Sequence, residues 1–166
     1  MIDYLQNEDL CSVGVKIADH IATDDTIKTY CQAHFGKELT IFVGPQEATI
    51  PDELQAPFLF IHGFEKSEGS NITQAQYQCM ISVGIVADES NATTATGVVV
   101  YAGQQRCSEL MTLVQDSLYR YKGCCQRPAV VEQMLPGITG DNLDCWQGFM
   151  IAQWDLPISI GQQNHF

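Results

Sequence analysis

The side chains best suited to chemistry in this sequence are seven cysteines, four histidines and a few neighbouring acids. A metal site needs deprotonated ligands that converge, and spacings such as CxxC or HExxH bring two of them to one loop or one helix face. Neither spacing occurs. Cys11, Cys31, Cys79, Cys107 and Cys145 are scattered, Cys124-Cys125 is a vicinal pair, and His20, His34, His62 and His165 are isolated. They read as packing or exposed polar positions, and neither a metal nor another cofactor is expected.

Nucleotide enzymes hold phosphate against the backbone amides of a glycine-rich loop. Here Gly36-Lys37 lacks both the upstream glycine and the following Ser or Thr. Ile61-His62-Gly63, at the end of an apolar run, has the form of an oxyanion-forming segment, but the GxSxG elbow that should accompany it is missing. Ser82 has Met80 where the glycine should stand. Asp24-Asp25 and Asp88-Glu89 resemble paired catalytic acids, yet each adjoins an expected element end, where acids cap or solvate. The expectation is a protein that is not an enzyme.

Twenty acidic and eight basic side chains give a formal charge of -12, which disfavours nonspecific attraction to nucleic acid or to an anionic membrane. The nearest basic grouping is Arg120, Lys122 and Arg127, and its first two members close an expected helix, where cations complement the dipole. The opening MIDYLQNEDL carries acids and no basic cluster, and no long apolar run follows, so neither a secretory signal nor a membrane span is expected. The expected compartment is the cytoplasm. An odd, scattered set of cysteines then reads as reduced thiols in small hydrophobic roles. The Asn71-Ile72-Thr73 and Asn91-Ala92-Thr93 triplets have no consequence without export.

A length of 166 residues with 45% hydrophobic content fits one domain, 1–166, with a core of its own. Leu10, Val13, Ile17 and Ile21 recur at helical spacing, from a start near Asn7. Thr23-Asp24-Asp25 caps a second stretch through Ile27, Tyr30 and Cys31, which Gly36 can end in a left-handed turn. The period then becomes two in LTIFVG (39–44), and Pro45, Pro51 and Pro57 mark an extended connector. FLFIHGF (58–64) is an apolar strand, EKSEGSN (65–71) a turn, and a hairpin is implied. Thr73, Ala75, Tyr77, Cys79, Ile81, Val83, Ile85 and Ala87 share one parity of a long strand, opposite Gln74, Gln76, Gln78, Met80, Ser82 and Gly84. At roughly 3.3 Å per residue that strand extends about 50 Å, against a radius of gyration of about 15 Å, so part of it is expected to overhang or bend.

Residues 88–103 read as a long loop. From Gln104, the stripe Cys107, Leu110, Met111, Val114, Leu118 and Tyr121 predicts a helix ended by Gly123. PAVVEQML (128–135) and the segment with Trp146, Met150, Ala152, Trp154 and Leu156 on one parity then return as strands. This order predicts an α+β fold: a mainly antiparallel sheet of about four to five strands, two helices on one face, and one long overhanging strand or hairpin.

A short strand, a proline-bearing loop, an Ala-Pro entry into an apolar strand (Gln55-Ala56-Pro57-Phe58-Leu59-Phe60-Ile61) and a long alternating strand (TQAQYQCMISVGIVAD) follow one another here. In this the chain resembles the tail-terminator, or tail-completion, family of long-tailed bacteriophages over nearly its whole length. The loop at 88–103 and the turn at 136–142 are longer than usual for that family. The resemblance implies a structural virion protein. Identical copies would form a ring, typically of six, that caps the tail tube, ends its polymerisation and offers a surface to the head connector. The implied partners are other copies of the chain, the tube protein and the head-completion protein, at the head-proximal end of the tail, with DNA passing through without specific binding. An acidic bore would keep that polyanion from sticking.

The assembly surface read from the residues themselves is Gln74, Gln76, Gln78 and Met80. An overhanging strand there would offer unpaired backbone groups to a neighbour, and the glutamines could hydrogen-bond across an interface without burying charge. Rings close through heterologous contacts. The rival readings are a neighbouring neck or tail-tube subunit, from a different class an acidic inhibitor that mimics DNA, and last a small hydrolase.

Overall fold

The computed structural model describes residues 9–44, 56–68, 74–86, 90–121, 128, 130–135 and 145–157. Helix α1 (Leu10–Ala22) starts where Asp9 accepts a hydrogen bond from the Ser12 amide, and it buries Val13, Ile17 and Ile21 on the stripe that the sequence spacing implied. Helix α2 (Asp25–Phe35) starts from Asp24, which accepts from the Thr26 and Ile27 amides. It stops at Gly36, whose φ of 68° is the left-handed cap expected of a glycine. Helix α3 (Ala102–Arg120) buries Cys107, Leu110, Met111, Val114 and Leu118 on one face. Each large apolar side chain so buried contributes about 1.5–3 kcal/mol.

Five strands form the main sheet: β1 (Thr40–Val43), β2 (Phe58–Glu68), β3 (Gln74–Val86), β6 (Val130–Met134) and β7 (Cys145–Pro157), in the order β1-β2-β3-β7-β6. Only β1 runs parallel to its neighbour, and the remaining pairs are antiparallel. Helices α1 and α3 pack on one face, as the alternation implied, while α2 lies against α1 and α3. Leu59, Ile61, Tyr77, Cys79, Ile81, Val83, Ile85, Met150, Ala152 and Trp154 meet the helices in a single buried core. The fold is therefore α+β with a mainly antiparallel sheet.

Three expectations change. The segment read as a loop at 88–103 contains a small ribbon, β4 (Asn91–Thr93) paired with β5 (Val99–Tyr101), closed by Thr94 and by Gly97 at φ 83°. Strands of three residues are too short to show a period. Strand β2 continues through Glu68, past the turn expected from Glu65, because an irregularity at Gly63 (φ 59°) lets pairing resume at Glu65↔Gln78. That extra residue switches the parity, so Phe64 turns to the helical side and approaches Gly14 of α1.

The third change concerns β3. Residues 74–80 present no unpaired backbone edge, because β3 is the central strand, paired with β2 from Ala75 to Gly84 and with β7 from Gln74 to Val86. The long feature is a hairpin, β2–β3, and the equally long β7 accommodates the length of β3. Residues 72 and 73, the ends expected at Asn7 and Gly123, and the Cys124-Cys125 pair lie outside the described residues.

Candidate functional site: the helix-free face of the sheet

Among the described residues no helix lies on the second face of the sheet. Its side chains follow from the register: Phe58, Phe60, His62 and, past the irregularity at Gly63, Glu65 and Ser67 on β2, Gln76, Gln78, Met80, Ser82 and Gly84 on β3, Gln147, Phe149, Ile151 and Gln153 on β7, and Glu132 and Met134 on β6. Three of the residues expected to mediate assembly, Gln76, Gln78 and Met80, lie together here, Gln76 exposed and the other two half-buried. Gln74 opens β3 opposite Pro157, and its side chain is outside the described residues. The structure thus groups these positions on a face instead of an edge.

The composition of this face changes along the strands. Gln76, Gln78 and Gln153 occupy one end, Met80 and Ile151 pair in the middle, and an aromatic group occupies the other end. There Phe42 stacks on Phe60 with ring centroids 4.8 Å apart, and Phe58 meets Phe60 edge-on at 5.8 Å. Phe58 lies over Gly84: a Cβ at that glycine would sit 2.1 Å from the ring. The bare backbone of residue 84 is therefore what seats the Phe58 side chain.

His62 and Ser82 share a hydrogen bond of 2.8 Å, Nε2 to Oγ, within this apolar surround. Sequence reasoning set each aside singly, and only the β2–β3 register could have joined them. A serine beside an imidazole is the beginning of a nucleophile–base pair. Each residue is only 5% exposed, however, and burial lowers the His62 pKa from its ordinary 6.5. Two buried polar groups that satisfy one another fit a structural role.

Further hydrogen-bonded junctions lie on the helical side. Arg120 Nη2 reaches Asp24 Oδ2 at 2.6 Å, joining the end of α3 to the cap of α2. Burial acts to raise the Asp24 carboxyl, but the Arg120 guanidinium and the Thr26 amide outweigh it and hold the group at about 2. Tyr30 donates to Glu109 at 2.8 Å, and burial together with that carboxylate raises its pKa. Burial likewise pushes the Cys31 thiol up to about 11, as suits a packing cysteine. Two open depressions of about 520 and 580 Å³ flank α2, one lined by Lys28, Gln32 and Glu38 and the other by Tyr30, His34 and Leu113.

Among the described residues no group of His, Cys, Asp and Glu could hold a metal ion, and no helix is long and apolar enough to cross a membrane. Comparison with protein-family models and with curated proteins returned no match.

Proposed function

We propose that this chain is a structural subunit whose copies join through the helix-free face into a ring, and that the ring is a tail terminator of a long-tailed bacteriophage. The single observation behind this reading is the composition of that face. Glutamines at one end and half-buried Met80, Phe149 and Ile151 on the two central strands make a surface that packs and hydrogen-bonds, with the carboxylates Glu65 and Glu132 on the strands to either side. Met134, 66% exposed on β6, extends the apolar tract to the sheet's edge. The resemblance of the Ala56-Pro57 entry and the long alternating β3 to that family supplies the biological setting.

On this reading the ring caps the tube, ends its growth and receives the head-completion protein. The net charge of -12 keeps DNA from adhering as it passes. The chain acts in the host cytoplasm during assembly and afterwards at the head-proximal end of the tail. Negative-stain imaging of tails made without the chain tests this: overlong, uncapped tubes are expected, and finished tails of normal length would refute it.

A further inference from the structure

We draw no further inference here: the strongest candidate, the uncharged β4–β5 ribbon with Val98, Val99 and Tyr101 exposed, is an apolar surface patch, and nothing in the structure shows what covers it.

Discussion

Replacing Asp24 with asparagine separates two roles that one carboxylate performs, capping α2 and pairing with Arg120. A carboxyl held at about 2 instead of 3.8 corresponds to roughly 2.5 kcal/mol, at about 1.36 kcal/mol per pH unit. That is an upper bound, because the Arg120 side chain is 53% exposed and solvent screens the pair. The working value is about 1–1.5 kcal/mol. Asp24→Asn keeps a side-chain oxygen for the Thr26 amide and loses the charge, so it should cost about that much at pH 7. Asp24→Ala also removes the cap and should cost about 1 kcal/mol more.

Because the native pKa is depressed, the stabilisation is fully present above the unfolded value of 3.8 and is lost as the pH falls towards 2. By pH 3 about half of it is gone. Urea unfolding can be followed by the fluorescence of the two tryptophans, Trp146 and Trp154, both packed into the core. Measured at pH 7, 4 and 3, the gap between wild type and Asp24→Asn should narrow steadily. A gap of equal size at pH 7 and pH 3 would show that the Arg120 pair contributes nothing and that the cost comes from capping geometry.

Three other outcomes follow from the helix-free face. Ser82→Ala strands the buried His62 Nε2 without its partner and should cost about 1–3 kcal/mol in the same urea assay. Gly84→Ala places a methyl group against the Phe58 ring and should cost about 1–3 kcal/mol, with Phe58→Leu at the same site relieving part of the loss. Met134→Glu, 66% exposed in the monomer, should leave urea stability within about 0.5 kcal/mol of wild type while abolishing assembly measured by light scattering.

Much of the helical core was legible in the sequence because each position there is committed to one side. Ile17, Ile21, Leu110, Val114 and Leu118 are buried where the 3.6-residue period put them, and Tyr77, Cys79, Ile81, Val83 and Ile85 where the two-residue period did. Strand order was not legible. Whether β3 is an edge or the centre depends on β7, which follows only after α3 and β6, and no local pattern encodes that pairing. The same non-locality hid the His62–Ser82 contact, which exists only in the β2–β3 register, and the shift at Gly63, which exchanges the faces of β2. Gln76, Gln78 and Met80 were found as a group because alternation along one strand is sufficient to place them together. Their neighbours Phe149, Ile151 and Met134 come from β7 and β6 and needed the sheet.

On the proposed function each copy buries its helix-free sheet face against a different patch of the next copy at the place where a tail stops growing. Cryo-electron microscopy of the head-proximal tail end measures that directly. The predicted density is a closed ring of this fold in which Met80 and Ile151 are covered by the adjacent subunit. A tail end without this fold, or a ring that leaves those two side chains open to solvent, would contradict the account.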